Sequence, residues 1–292
     1  MPRRTSAVAT IAMMGLSLAL VSCGDKAPLG DVTINFGLGK EAPGFVSGEP
    51  PVGFDIALKD FVVQDVENRK TQSGEKITVG LSERLTAGQR ETLLLNRRIT
   101  LVIATFSITE DRNKAGIDFA GPYLKTSQAF LVRDRGLDTI DQRQDLAGKS
   151  MCRVGRTTGI NVPMPESLQQ TTIAESVGEC VELLEQDKVD VVFSDTLILY
   201  GFQRRNPELK VALAGDYGAQ QYYGIGILGG RQDQCQLLNR AIVGYLNTRW
   251  RADFEAYLGA VKADHPNFES DFKPTRNDMD ALSCRLPNGP AA

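Results

Sequence analysis

The sequence has little of the chemistry that metal centres and many hydrolases need, because it contains a single histidine. His265 stands before a proline in a polar segment, so we expect it on the surface. The five cysteines include no Cys-x-x-Cys pair, which argues against a zinc site. A Ser-His-Asp triad would need a histidine better placed than His265. The sequence therefore predicts no metal site, no cofactor and no triad enzyme.

A strong charge of either sign is also missing. The chain has 33 basic and 36 acidic residues, for a formal net charge of -3 over 292 residues. This balance gives no electrostatic reason to expect a nucleic acid or an anionic membrane as a partner. The sequence also lacks a heptad array and a low-complexity tract. Its 292 residues are enough for two lobes of ordinary size.

The N-terminal apolar run, residues 7–21, is too short for a comfortable membrane span. Two arginines precede it, so residues 1–22 are predicted to be a signal peptide. The run ends in Leu-Val-Ser-Cys, which resembles a bacterial lipobox, where Cys23 becomes the lipid-modified N-terminus. An ordinary signal peptide with a chance cysteine is the alternative. With a lipobox, residues 23–30 form a short tether, and the protein is held at the extracytoplasmic face of the cell membrane.

Export permits disulfides, and four cysteines remain once the lipobox cysteine is set aside. Four cysteines allow three connectivities. Cys152 lies in a predicted strand and Cys180 in the next helix, which makes a local bridge between them reasonable. Cys235 opens a predicted long helix and Cys284 lies in the C-terminal tail. A bridge between the second pair would pin the C-terminus.

Small hydroxyl residues follow a predicted buried strand at residues 99–104 and lead into a helix start. Thr109 is a good N-cap, and the two acidic residues after it suit a first helical turn. Ligands of α/β proteins bind where a strand ends and a helix begins. Ser107 and Thr109 offer hydroxyls, and Arg112 offers a planar guanidinium that suits a carboxylate. We predict a clamp for a small carboxylate here; a capped surface helix with an exposed arginine is the alternative.

Strands and helices alternate along the mature chain, as in α/β proteins. The predicted strands lie at residues 32–38, 76–80, 99–104, 128–133, 150–154, 189–193, 211–214 and 223–228. The predicted helices lie at residues 52–63, 87–95, 176–186 and 237–258, and a further helix is expected to start at residues 155–159.

Six short motifs occur in the order and at the spacing of a known family. They are Gly53-Phe54-Asp55-Ile56, Ser107-Ile108-Thr109-x-x-Arg112, Ile117-Asp118-Phe119-x-x-Pro122-Tyr123, Asp145-Leu146-x-Gly148-Lys149, Ser194-Asp195-Thr196 and Tyr223-Gly224-Ile225-Gly226-Ile227. Over about residues 33–260 the chain resembles the bacterial extracellular solute-binding proteins of polar amino-acid ABC transporters. It looks most like the glutamate-binding lipoproteins of actinobacteria, through Gly121-Pro122-Tyr123-Leu124, the Cys152 strand, Glu179-Cys180-Val181, Trp250 and Leu258-Gly259.

The resemblance implies an α/β, two-lobe periplasmic-binding-protein fold of type II. Two hinge strands would cross between the lobes, and the ligand would lie in the interlobe cleft. The first lobe would comprise residues 31–128 and 224–275, the second residues 129–223, and the C-terminal tail residues 276–292. The α-carboxylate site of the family falls on Ser107, Thr109 and Arg112, which agrees with the clamp. Its α-ammonium partner falls on Asp195, for which a helix N-cap is the alternative.

Further site residues also follow from the resemblance. Thr157 and Thr158 match the helix-start contacts of the second lobe, which favour an anion. Phe54 and Thr105 complete the predicted ligand-binding set, together with two residues that depart from the family pattern. Lys40 comes one place late in the loop after the first strand, and Arg156 replaces a glycine. If both face the cleft, an acidic amino acid, glutamate or aspartate, is favoured over glutamine or asparagine.

The function implied is a monomeric transport receptor that captures an amino acid and delivers it to the permease subunits of an ABC transporter. The alternative is a sensor lipoprotein that signals to a membrane partner; neighbouring permease genes would separate the two. An enzyme would need a general acid or base in the cleft. Only Asp195 and Glu41 are obvious carboxylates there, and the ammonium role explains Asp195 better.

Overall fold

The computed structural model describes residues 32–39, 42–73, 77–134 and 139–286. Its strands are β1 Val32–Gly39, β2 Ile77–Leu85, β3 Leu101–Ile103, β4 Ile117–Thr126, β5 Gln128–Arg133, β6 Ser150–Val154, β7 Gln170–Ala174, β8 Val191–Asp195, β9 Leu209–Ala212 and β10 Gln221–Leu228. Its α-helices are α1 Phe54–Ser73, α2 Gln89–Leu95, α3 Glu110–Lys114, α4 Val177–Glu185, α5 Thr196–Arg205, α6 Gln232–Thr248, α7 Trp250–Leu258, α8 Phe268–Phe272 and α9 Arg276–Leu282. Short 3₁₀ helices lie at Arg143–Leu146, Thr158–Asn161 and Gly259–Ala263.

The strands form two five-stranded mixed sheets, one in each lobe. The order in the first sheet is β2-β1-β3-β10-β4, and the order in the second is β7-β6-β8-β5-β9. β10 runs antiparallel to its neighbours β3 and β4, and β5 runs antiparallel to β8 and β9. The pairs β1–β2, β1–β3, β6–β7 and β6–β8 are parallel. The α/β two-lobe fold predicted from the sequence is confirmed.

The chain passes between the two sheets at two neighbouring crossings. The first lies at Ser127, between β4 and β5, and the second lies between β9 and β10. The Ser127 carbonyl accepts a hydrogen bond from the Thr196 amide at 2.9 Å, and the Gln128 carbonyl accepts one from the Gly215 amide at 2.9 Å. These bonds hold the two crossings and the start of α5 together, and strands of both sheets end beside them.

Aromatic side chains fill the core of the first lobe. Phe54, at the start of α1, is fully buried at the centre of this cluster. Its ring contacts those of Phe45, Tyr123, Tyr245, Trp250 and Phe254. The Trp250 indole also donates a hydrogen bond to the Tyr123 carbonyl at 2.9 Å. Truncating such a ring costs about 3–5 kcal/mol, so this cluster is a main source of the lobe's stability.

Both cysteine pairs favoured by the sequence are disulfides in the structure. Cys152–Cys180 joins β6 to α4, and Cys235–Cys284 joins α6 to the segment after α9. That segment runs along the edge strand β4: the Cys284 amide donates to the Phe119 carbonyl at 2.8 Å. The next two amides donate to the Asp118 carboxylate. The C-terminal segment therefore covers part of an otherwise unpaired strand edge.

Three predicted helices differ from the structure. The helix expected over residues 52–63 is α1, which continues to Ser73. The helix expected over residues 237–258 is two helices, α6 and α7, separated at Arg249. The Thr248 hydroxyl donates to the Gly244 carbonyl at 2.8 Å, a bond that bends helices. The helix expected to start at residues 155–159 is only the 3₁₀ turn Thr158–Asn161, because prolines at 163 and 165 disfavour further helical turns.

Other differences concern strand ends and the elements that the patterning missed, which are strands β4 and β7 and helices α5, α8 and α9. β2 extends to Leu85, and β3 covers only three residues of the predicted run at 99–104. The edge strand β7 was not predicted, because its exposed polar residues do not form an apolar run. No helix in the described ranges is both long and apolar enough to cross a bilayer.

Candidate functional site

A cavity of about 100 Å³ lies between the two lobes and is lined by residues of both. The first lobe contributes Arg90, Thr105, Ser107 and Arg112, and the second contributes Gln128, Thr157, Thr158 and Asp195. Six of the residues predicted from the sequence are therefore brought together: Thr105, Ser107, Arg112, Thr157, Thr158 and Asp195.

Arg112 is held in place on the first-lobe wall by neighbouring groups. Thr109 caps α3 by accepting a hydrogen bond from the Arg112 amide at 3.2 Å. The guanidinium donates from Nη1 to the Ser107 carbonyl at 2.6 Å and from Nε to Glu91 Oε1 at 2.9 Å. It lies 4.4 Å from the centre of the Phe106 ring. Within the described residues, Arg112 Nη2 and the Ser107 hydroxyl have no hydrogen-bond partner, so both can bind a ligand carboxylate.

Arg90 is a second buried guanidinium in the cavity, and sequence reasoning missed it. Its Nε donates to the Ala87 carbonyl at 3.1 Å, and its Nη1 donates to the carbonyls of Ala104 and Thr105 at 2.9 and 3.0 Å. Burial and the nearby Arg112 lower its pKa to about 10, so it is charged at neutral pH. Among the described residues, no carboxylate lies within ion-pair distance of Arg90.

One signal in the sequence could have identified Arg90. Arg90 and Leu94 are the buried residues of α2 and stand four positions apart, on the same face of the helix. An arginine on the core-facing side of a helix must find polar partners or a ligand, because an isolated buried charge is costly.

The buried carboxyl group of Asp55 holds the backbone of the cavity residue Thr105 in place. Thr105 has a positive φ of 44°, which is uncommon for a residue with a side chain. Its amide donates to Asp55 Oδ2 at 3.0 Å, and the Tyr123 hydroxyl donates to Asp55 Oδ1 at 3.0 Å. Burial raises the pKa of Asp55 to about 7. Asp55 thereby fixes the backbone of Thr105, whose carbonyl in turn holds Arg90.

Asp195 lies on the opposite wall, where β8 ends and α5 begins. It occupies the N-cap position of α5, but its side chain makes no capping hydrogen bond. Instead Oδ2 accepts from the Tyr223 hydroxyl, and Oδ1 accepts from Gln128 Nε2 at 3.3 Å. Burial raises the pKa of Asp195, while these hydrogen bonds and the two cavity arginines act in the opposite direction. The carboxylate is thus available to a cation in the cavity.

The two threonines of the second lobe lie beside this carboxylate. The Thr157 hydroxyl donates to the Val154 carbonyl at 2.8 Å, which ties the turn to the end of β6. The Thr158 hydroxyl accepts from Gln128 Nε2 at 3.4 Å. Both residues line the cavity, although the helix expected after them is only a single 3₁₀ turn.

Several predicted ligand residues do not reach the cavity. Phe54 is buried in the aromatic core, and Thr109 uses its hydroxyl to cap α3. Arg156 is exposed and lies near Gly88, at the start of α2, rather than among the lining residues. Lys40 and the lipobox cysteine, Cys23, lie outside the described residues.

The charges enclosed by the cavity do not cancel. Arg90 and Arg112 are each 6% exposed and Asp195 is 9% exposed, so two cations face one anion in the lining. Glu91, the ion-pair partner of Arg112, lies outside the lining, and its side chain is 40% exposed. Glu175 also reaches the lining, but it is exposed to solvent and its charge is screened there. Within the described ranges, no cluster of histidine, cysteine or acidic residues could hold a metal ion. The cavity therefore suits an organic ligand with one cationic and two anionic groups.

Comparison with known proteins identifies the family to which the chain belongs. No protein-family model matches the chain. The glutamate-binding protein of Corynebacterium efficiens is 30% identical over 264 residues, which cover 81% of this chain and 84% of that protein. The chain belongs to the solute-binding proteins of amino-acid ABC transporters. The arginine-binding protein 1 of Escherichia coli is 26% identical to this solute-binding protein over 236 residues, 79% of this chain and 86% of that protein.

Solved structures agree on the fold. An ancestral arginine-binding protein bound to arginine has a TM-score of 0.65 and 23% identity, covering 78% of this chain and 98% of that one. A binding protein of Streptococcus pneumoniae bound to L-arginine has a TM-score of 0.66 and 17% identity, covering 78% and 95%. The family binds amino acids outside the cytoplasm for ABC transporters and is not a family of enzymes.

Proposed function

We propose that this solute-binding protein captures an acidic amino acid, glutamate or aspartate, and delivers it to an ABC permease. The observation that carries the proposal is the net positive charge enclosed by the cavity. An α-amino acid brings one carboxylate and one ammonium, which match Arg112 and Asp195. Arg90 then needs a second anion.

A side-chain carboxylate supplies that anion. Arg90 and Arg112 lie on the same Phe106 ring, 5.1 and 4.4 Å from its centre, so they can bind the two carboxylates of one small ligand. The sequence had assigned the extra positive charge to Lys40 and Arg156. Arg156 is exposed and does not line the cavity, and Lys40 lies outside the described residues, so among the described residues we assign this charge to Arg90.

Charge also distinguishes between the amino acids that the relatives are named as binding. Glutamate would bring the enclosed charges close to zero, whereas arginine would add a third cation beside Arg90 and Arg112. Like charges a few ångströms apart repel strongly in a closed, low-dielectric cavity. A glutamine side chain would leave Arg90 without a counter-charge. The charge argument therefore ranks glutamate and aspartate above arginine and glutamine as ligands.

Calorimetry with glutamate, aspartate, glutamine and arginine tests the proposal. Arg90→Ala should weaken glutamate binding by about 2–5 kcal/mol and glutamine binding by less, so selectivity for the acid falls. Arg98→Ala, which removes an exposed arginine just beyond the same helix, is the matched control and should change neither affinity. Tighter binding of arginine than of glutamate by the unmodified protein would refute the acidic-ligand assignment.

We also propose that Cys23 carries a lipid anchor. The support is the lipobox-like sequence Leu-Val-Ser before this cysteine. Fractionation of cells that express the Cys23→Ser variant should find the protein released from the membrane. A processed variant that stays in the membrane fraction would contradict the anchor.

A further inference from the structure

Tyr223 connects the two walls of the cavity without lining it. It is fully buried on β10, a strand of the first sheet. Its backbone forms an antiparallel bridge with Ser107 of the carboxylate clamp. The neighbouring residues extend this contact: the Ile108 amide donates to the Tyr222 carbonyl at 2.7 Å, and the Gly224 amide donates to the Phe106 carbonyl at 3.0 Å. The loop that contains Ser107 is therefore hydrogen-bonded to the start of β10.

The side chain of the same tyrosine reaches the other lobe. Its hydroxyl donates to Asp195 Oδ2, at the end of β8 in the second sheet. Its ring is fixed by edge contact with Phe45 and by a tilted contact with Tyr123. One residue thus touches the loop that binds the carboxylate and the group that binds the ammonium.

We propose that Tyr223 is the positioning residue of the amino-acid site, which holds the Asp195 carboxylate in register with the Ser107 loop from behind the cavity. The proposal rests on the proposed binding of an α-amino acid, but not on the nature of its side chain. Because Tyr223 does not line the cavity, it acts on the ligand through Asp195.

The surroundings of Asp195 explain what the hydroxyl contributes. The groups that face this carboxylate are Tyr223 from β10, Gln128 from β5, Arg90 from α2 and Arg112 from α3. Burial raises the pKa of Asp195, and the hydrogen bond from Tyr223 is the largest effect that lowers it. Removing the hydroxyl should therefore raise the pH at which Asp195 loses its charge and releases the ammonium.

Tyr223→Phe tests the proposal, with Tyr222→Phe as the matched control. Tyr222 is the preceding residue on β10, but its hydroxyl is bonded to Asp278 rather than to Asp195. Calorimetry with L-glutamate from pH 5 to 8 should show binding about ten- to a hundredfold weaker for Tyr223→Phe at pH 7. The acidic fall in its affinity should also begin at a higher pH. Tyr222→Phe should match the unmodified protein in both respects.

Two results would overturn the proposal. One is an unchanged glutamate affinity in Tyr223→Phe. The other is an affinity that is lower by the same factor at every pH, which would indicate a merely structural role. A crystal structure of the unmodified protein with L-glutamate gives a test that does not depend on variant folding. It should show the Tyr223 hydroxyl bonded to Asp195 while Asp195 contacts the ammonium; a separated pair would also overturn the proposal. If the unmodified protein binds another amino acid but not glutamate, only the acidic-ligand assignment fails, and that amino acid replaces glutamate in the series.

Discussion

Asp55 links the aromatic core of the first lobe to the cavity through two hydrogen bonds. It accepts from the Tyr123 hydroxyl and from the amide of Thr105, a cavity residue with a positive φ. The carboxyl group has no access to solvent, and burial raises its pKa from 3.8 to about 7. Its charge state therefore changes close to neutral pH.

Folding stability should consequently fall as the pH rises. The folded pKa of Asp55 lies above its unfolded value, so folding takes up a proton between about pH 4 and 7. The contribution of Asp55 to stability should drop by about 2–3 kcal/mol from pH 5 to pH 8. Asp55→Asn removes this component and should have a flatter pH profile. Urea unfolding of both proteins at the two pH values measures the difference; parallel profiles would contradict it.

At the scale of helices and strands, the two disulfides act on different parts of the molecule. Cys235–Cys284 joins α6 to the C-terminal segment, and neither cysteine lines the cavity. Cys152–Cys180 joins β6 to α4, whose adjoining ends supply Val154 and Val177 to the cavity. Each disulfide closes a long loop, but only Cys152–Cys180 joins two elements that contribute residues to the cavity.

Removing each pair of cysteines should separate stability from binding. Double replacement by alanine should cost about 2–4 kcal/mol of unfolding free energy in either case. Without Cys235–Cys284, glutamate affinity should stay within about twofold, because the site is untouched. Without Cys152–Cys180, affinity should also fall, since β6 and α4 can shift relative to one another. Chemical unfolding and calorimetry on both variants provide the measurement; equal effects on affinity would argue against this division.

The helix that is broken at Arg249 shows what periodicity can and cannot predict. Its buried positions, Leu238, Ile242 and Tyr245, continue on the far side of the break with Trp250 and Phe254. Between Tyr245 and Trp250 the spacing of these buried positions lengthens to five residues, but one irregular step in an otherwise helical pattern does not divide it, so the pattern of hydrophobic residues reads as one helix. Most elements were predictable in kind and order because each buries a face, although β4, β7 and α5 were missed. The ends of elements depend on local hydrogen bonds such as that of Thr248.

Prediction of the candidate site from the sequence is limited in the same way. Ser107, Arg112 and Asp195 were predictable because they follow strands in motifs with recognisable spacing. Arg90 left only a weak signal, its place with Leu94 on the buried face of α2, because its role depends on a neighbouring loop: two of its partners are the carbonyls of Ala104 and Thr105. Backbone carbonyls leave no mark in a sequence.

At the scale of the whole molecule, the lobes also meet outside the cavity. Gly201 on α5 approaches Pro43 in the loop after β1 so closely that a Cβ atom would lie 2.1 Å from the Pro43 carbonyl oxygen. Nearby, the Tyr200 hydroxyl donates to Asp264 Oδ2 at 2.7 Å. These contacts join the second lobe to the first at a distance from the ligand groups.

Gly201→Ala should therefore hold the lobes apart and weaken binding. No flexible side chain can yield, since the atom in the way is a backbone carbonyl, and we expect at least a tenfold loss of glutamate affinity. Gly244→Ala is the control, because a Cβ atom there would meet only ordinary contact at 3.6 Å. Calorimetry and small-angle scattering at saturating glutamate measure affinity and compactness. Normal affinity with normal compactness would show that α5 accommodates the methyl group.

The bond between Trp250 and the Tyr123 carbonyl has an optical consequence. Trp250 is the chain's one tryptophan, so all of the protein's tryptophan emission comes from a single indole in the core of the first lobe. Tyr123 is bonded in turn to Asp55, which holds the cavity residue Thr105. A short series of hydrogen bonds thus links the indole to the ligand pocket. We expect ligand binding to change the tryptophan emission, which would allow a titration to be followed with no dye attached.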